Sequence, residues 1–119
     1  MKRFGAGFLM LFCVLALSAW IMAQDIVKVA PKNCKVLLDN NKVRIVEVRL
    51  KPGEKLPMHS HPANVVYSFT GGKAKYTSPD GKVTERQTKA DEAVWSDAVT
   101  HATENTAKTT TRVLVIELK

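Results

Sequence analysis

Cysteine, histidine and aromatic residues are all scarce in this chain, and each shortage removes a class of protein. Two cysteines in 119 residues, Cys13 and Cys34, cannot staple a small disulfide scaffold. Six glycines and five prolines are too few for a fibrous or low-complexity chain, and 45% hydrophobic residues are too many for a disordered one. Acidic charge is short as well: 11 Asp and Glu stand against 18 Lys and Arg, a formal +7 that raises nucleic acid or a membrane as partners. A nucleic-acid groove needs a basic block with aromatics interleaved. Here the basic residues scatter (Lys28, Lys32, Lys35, Lys42, Arg44, Arg49) with acids between many of them, so no nucleic-acid partner is expected. Internal repeats and an inter-domain linker are also lacking, and the length suits one domain.

Among the things present, the N-terminus comes first. Met1, Lys2 and Arg3 precede a nearly unbroken apolar run from Phe4 to Ala23, the layout of a secretory signal peptide. Cleavage is expected after Ala23, with Ile21 and Ala23 at the positions a signal peptidase reads and Ala19 as the fallback. The rival reading is an uncleaved membrane anchor, since 20 apolar residues just span a bilayer core of about 30 Å. Gly5 and Gly7 and the lack of a charged stop after Met22 favour cleavage, and bulky Phe12 argues against lipid attachment at Cys13. The expected product is a periplasmic or secreted domain, residues 24–119. Loss of Lys2 and Arg3 lowers its charge to +5, a solvated basic surface. Cys34 is then its sole cysteine, read as a small buried apolar residue with a reactive thiol as the alternative.

No window of residues 24–119 holds an apolar period of 3.6. Short β-rich runs alternate with turn chemistry instead. Lys35–Leu38 and Val43–Leu50 flank Asp39-Asn40-Asn41, and Val46, Val48 and Leu50 share one face of the second run, opposite Glu47 and Arg49. Lys51-Pro52-Gly53 breaks that strand. Val65–Thr70 ends at Gly71-Gly72, and Lys73–Thr77 and Lys82–Gln87 flank the Pro79-Asp80-Gly81 turn. Glu92–Trp95, His101–Asn105 and Arg112–Leu118 follow, the last with Leu114, Ile116 and Leu118 on one face. About eight short strands without crossover helices predict an all-β antiparallel barrel or jelly roll.

His59-Ser60-His61 is the sharpest local feature. Residues i and i+2 of a strand project to one face, so the two imidazoles form a bidentate clamp for a metal when neutral. The one other histidine, His101, lies 40 residues beyond His61 in another predicted strand.

These residues resemble the cupin family, small β-barrels with an internal metal site. The family's first motif runs G-x5-H-x-H-x3or4-E-x6-G. The chain matches it with Gly53, His59, His61 and the closing Gly71-Gly72. The second motif runs G-x5-P-x-G-x2-H-x3-N, where His101 and Asn105 fit while Ala90, Ser96 and Ala98 replace Gly, Pro and Gly. The resemblance covers roughly Val43 to Leu118 and implies a double-stranded β-helix in which His59, His61 and His101 hold a divalent ion: zinc, iron, manganese, nickel or copper. At the acidic ligand position the chain departs, because the two possible counts place Val65 or Asn64 there. Asn64 is the weak fourth candidate, with a turn residue as its plain reading, and Glu47 and Glu104 are the nearest alternative acids.

Tyr67, Trp95 and Asn105 are candidates for the substrate pocket, each with a packing role as the competing reading. Gly53, Pro57 and Pro62 shape the backbone around the H-x-H strand. Arg44 and Arg49 bind an anionic ligand if they face inward. The resemblance implies a small-molecule ligand and chemistries such as dioxygenase, isomerase or decarboxylase, but no second catalytic group stands out, and a fold alone selects no reaction. The alternative is a non-catalytic binding module for a sugar or organic acid. A homodimer formed through edge strands is expected, since a small barrel gains from covering them.

Overall fold

The computed structural model describes residues 24–119; the expected signal segment and its cleavage site at Ala23 lie outside them. The chain opens with one helical turn, α1 (Ile26–Val29), capped by Asp25, whose carboxylate accepts from the Val27 amide at 2.8 Å. Nine strands follow: β1 (Cys34–Asp39), β2 (Val43–Leu50), β3 (Lys55–His61), β4 (Asn64–Ser68), β5 (Gly72–Thr77), β6 (Val83–Thr88), β7 (Glu92–Ser96), β8 (Val99–Asn105) and β9 (Thr111–Leu118). They pair antiparallel into a five-stranded sheet, β1-β2-β9-β4-β7, and a four-stranded sheet, β3-β8-β5-β6. The expected all-β architecture holds. The helical turn is the element the periodicity did not predict, being too short to show a period.

Turn chemistry sets the connections. Gly81 (φ 87°) closes the β5–β6 hairpin and donates to the Ser78 carbonyl, while Gly53 (φ 78°) turns the chain from β2 into β3. The core lies between the sheets and is small: Val46, Val48 and Leu50 from β2, Leu56 from β3 and Val115 from β9, closed at one end by Ile26 and Ala30. On β2 the face carrying Val46 and Val48 is therefore the inner one. On β9 the inner residues are Val113, Val115 and Glu117, and the Leu114, Ile116, Leu118 face points outward.

A register shift in β3 decides where the histidines go. Leu56 pairs with Thr103 and His59 with His101, so three residue steps on β3 oppose two on β8. The extra residue is a β-bulge at Pro57-Met58, where proline has no amide to give to the ladder. Without it, strict alternation would put Leu56 and His59 on opposite faces. With it, both are inside, 3% and 1% exposed.

Candidate metal centre

His59 and His101 face each other directly across the β3–β8 ladder, and His61 is two residues further along β3. Their ring centroids are 4.8 to 5.7 Å apart, and one ligand nitrogen from each lies within 4.8 Å of the others. The expectation that all three histidines converge is met. They form a group of potential ligands among the described residues, with His59 and His61 buried.

The hydrogen bonds fix which nitrogens are free. Nδ1 of His59 lies 2.8 Å from the Pro57 carbonyl oxygen, which can only accept, so Nδ1 carries the proton and Nε2 its lone pair. Nδ1 of His61 lies 2.9 Å from Oε2 of Glu117. Burial raises the Glu117 pKa, but the bonds from His61 and Arg44 outweigh it and the net shift is downward, so this carboxylate is ionised and accepts. Both rings are thus held in the tautomer whose Nε2 can ligate, the arrangement found behind metal-binding histidines. Burial, with the neighbouring histidines and Arg86, lowers the His101 pKa to about 3, and burial also lowers that of His59. Neutral imidazoles are what a cation requires. The donor set fits a divalent ion: tetrahedral bonds of about 2.1 Å put nitrogens roughly 3.4 Å apart, so the widest pair need only draw together by ring rotation.

The supporting carboxylate is the residue the sequence reasoning missed. Glu117 is 2% exposed and is the cross-strand partner of Asn64 on β4. The acid absent from the β4 position therefore stands one strand away, bonded to Nδ1 of His61. Its other oxygen takes Arg44 at 2.6 Å, and Arg44 also grips Asp25, the cap of α1. Only its placement next to last in a strand of apolar alternation, on the Val113 and Val115 face, could have drawn attention to it. The alternative acids lie elsewhere. Glu47 points outward and is held by Arg49 and Arg112, and Glu104 pairs with Lys75. Arg44 faces inward but is consumed by its two carboxylates, and Arg49 lies outside.

The remaining candidates separate by strand parity. Asn64, not Val65, faces the interior: it is 2% exposed, its amide nitrogen donates to the Pro62 carbonyl at 2.9 Å, and it lines the cavity. Tyr67 and Trp95 are corrected. Asn64, Val66 and Ser68 of β4 and Val94 and Ser96 of β7 line the cavity, so the intervening Tyr67 and Trp95 must point to the outer face, where Tyr67 bonds Asp91 and Trp95 bonds Asp97. Asn105 is also outside the cavity lining. Buried to 1%, it donates to the carbonyls of Leu50 and Thr109 and accepts from the Ala107 amide, tying the β8–β9 turn to β2. Cys34 is half-buried beside α1, and burial and Asp25 push its thiol up to about 11, so it is unreactive at neutral pH.

The cavity above the histidines measures about 590 Å³, room for a small organic molecule. Its wall is apolar with a scatter of hydroxyls. Tyr76 lies 5.0 Å from His101, ring to ring, and Arg86 and Lys82 enter from β6 and the turn before it.

Comparison with solved structures places this geometry in a known class. A cupin domain from Bordetella pertussis shares 27% identity at a TM-score of 0.67, over 72% of this chain and 91% of that one. A protein with a double-stranded β-helix domain from Klebsiella pneumoniae follows at 22% identity and a TM-score of 0.58, covering 71% and 74%. An RmlC-like cupin family protein from Methanocaldococcus jannaschii shows 17% and 0.55, covering 71% and 77%. No protein-family profile matches the chain, and no curated protein matches it. The fold is the double-stranded β-helix. That is the fold of the cupin domains the chain resembles, and these likenesses support the cupin assignment that the two motifs imply.

Proposed function

We propose that this protein is an exported cupin that holds a divalent metal ion on His59, His61 and His101 and presents it to a small oxygenated molecule in the cavity. The observation that carries the reading is the pair of locked tautomers: Pro57 and Glu117 leave two Nε2 lone pairs free beside His101. Asn64 is the candidate for a fourth, weaker contact, through its side-chain oxygen. Bound there, the ion would supply Lewis acidity or a coordination position for substrate or water. The chain's own residues would shape the rest, with Tyr76 as a hydroxyl close to His101 and the largely apolar wall limiting access of bulk water. Elemental analysis of untagged protein tests the reading. Near-stoichiometric metal in the wild type and none in a His59→Ala/His61→Ala variant is expected; equal traces in both would overturn it. The N-terminal mass of the exported protein tests the address, with Gln24 as the expected first residue.

One observation favours a second reading, a binding module for an organic acid. Arg86 lines the cavity from β6 and has no carboxylate partner among the described residues, while burial and its neighbours hold the His101 pKa well below its ordinary value. An anionic ligand would complete that charge. Stabilisation by succinate that persists in a chelator and is lost in Arg86→Gln supports this reading; stabilisation only in the metal-loaded protein supports the first.

A further inference from the structure

Arg44 divides itself between two carboxylates, and the division decides what is left for His61. Its guanidinium, largely buried, touches Glu117 with Nε and Nη2, both 2.6 Å from the same oxygen, Oε1. Its Nη1 takes Oδ2 of Asp25 at 2.5 Å. The other Glu117 oxygen, Oε2, is thereby left to Nδ1 of His61 at 2.9 Å. An arginine beside a carboxylate favours a fork, two parallel N–H bonds to the two oxygens. Arg44 and Glu117 are cross-strand partners on β2 and β9, so that fork is within reach. It is not made. What stands against it is Asp25, which holds the third nitrogen of the guanidinium.

Asp25 is itself fixed in place. Its Oδ1 caps α1 by accepting from the Val27 amide, and the next residue, Ile26, is buried in the core. The Gln24 carbonyl before it accepts from the Ser60 amide at 2.8 Å, and Asp25 bridges to Ser60, the residue between the two histidines of β3. We propose that Asp25 is a positioning residue of the metal centre: by anchoring Arg44 it keeps one oxygen of Glu117 for His61. Without the Asp25 charge, Arg44 is free to swing into the two-oxygen fork. The His61 ring then loses the acceptor that fixes its proton on Nδ1, and Nε2 is no longer always the free nitrogen. Where the fork does not form, the whole charge of Arg44 falls on Glu117 and weakens it as an acceptor. Both effects lower metal affinity. The inference rests on the proposed role of His61 as a ligand, but the orientation of its ring is a property of the metal-free protein as well. A helical turn that contributes no ligand is thereby part of the site.

Two substitutions separate this role from helix capping. Asn and Ser cap helices about as well as Asp, so Asp25→Asn and Asp25→Ser keep the bond to the Val27 amide and lose the charge that holds Arg44. Both should keep the wild-type far-UV circular dichroism. Competition with a chromophoric chelator should show metal affinity lower by about 3- to 10-fold, less than removal of a direct partner of the ligand costs. Nitrogen NMR spectra of the imidazole rings in the metal-free protein should show His61 in one tautomer in the wild type and in two in the variants. Adding Asp25→Asn to Glu117→Gln should cause no further loss of affinity, since Asp25 acts only through that carboxylate. An unchanged affinity, an unchanged ring spectrum or losses that add would overturn the proposal. A wild type that holds no metal defeats His61 as a ligand instead, and the ring spectra alone then decide the role of Asp25.

Discussion

At the residue scale the centre depends on an acid that touches no ion. Glu117 holds His61 by one oxygen and Arg44 by the other, so its charge orients the ring and raises the basicity of Nε2. Glu117→Gln keeps the shape but can offer Nδ1 the wrong group. Metal affinity should fall about 10- to 100-fold by competition with a chromophoric chelator, with the fold unchanged. A second carboxylate sets the acid stability. Hydrogen bonds from Arg112 and Arg49 lower the Glu47 pKa to about 2, below the ordinary 4.5 it has when unfolded. The unfolded chain therefore takes up a proton that the folded one refuses across that interval. The contribution is complete above pH 4.5 and disappears as the pH falls towards 2. Urea midpoints measured from pH 5 to pH 2.5 should fall less steeply in Glu47→Gln than in the wild type.

At the element scale the decisive feature is the bulge in β3. It inserts one residue between Leu56 and His59 and so places a core leucine and two histidines on one face of a single strand. It also brings the Pro57 carbonyl within 2.8 Å of the His59 ring. Deleting Met58 should remove the bulge yet leave Leu56 and His59 two residues apart on the inner face, and by displacing the Pro57 carbonyl from the His59 ring it should weaken metal binding without abolishing it. Met58→Ala keeps the residue count and should retain stoichiometric metal, as elemental analysis would show. The helical turn α1 is tied to the same site. Asp25 caps it and pairs with Arg44, which grips Glu117, and the Ser60 amide between the two histidines donates to the Gln24 carbonyl at 2.8 Å. The start of the described chain is thus packed beside the clamp.

At the scale of the whole molecule, the site is built from both sheets: the histidines from β3 and β8, the carboxylate behind them from β9 and Asn64 from β4. A ligand that binds only this assembled arrangement stabilises the entire fold. Metal at 100 times its dissociation constant adds about 2.7 kcal/mol, which in a domain of this size raises Tm by about 10–20 °C. Differential scanning calorimetry with and without a chelator should show that difference, and the His59→Ala/His61→Ala variant should show none. An unchanged wild-type Tm on chelation would remove the metal from the account.

Local chemistry made much of this legible in the sequence. The turns at Asp39-Asn40-Asn41, Lys51-Pro52-Gly53 and Pro79-Asp80-Gly81 act over three residues, and the period-2 runs between them mark strands without reference to anything distant. The H-x-H pair is legible for the same reason, since i and i+2 share a face wherever a strand forms. Which face turns inward is not local. Val65 and Tyr67 carry the larger apolar side chains of β4, yet the interior takes Asn64, Val66 and Ser68, which line the cavity. Glu117 was invisible because its partners, His61 and Arg44, are 56 and 73 residues away and meet it only when β9 pairs with both β2 and β4. The sequence by itself determined the strands, their turns and the three candidate histidines. Only the tertiary structure decided the bulge that turns them inward, the buried acid that orients them and the face left open, because each depends on register between strands far apart in the chain.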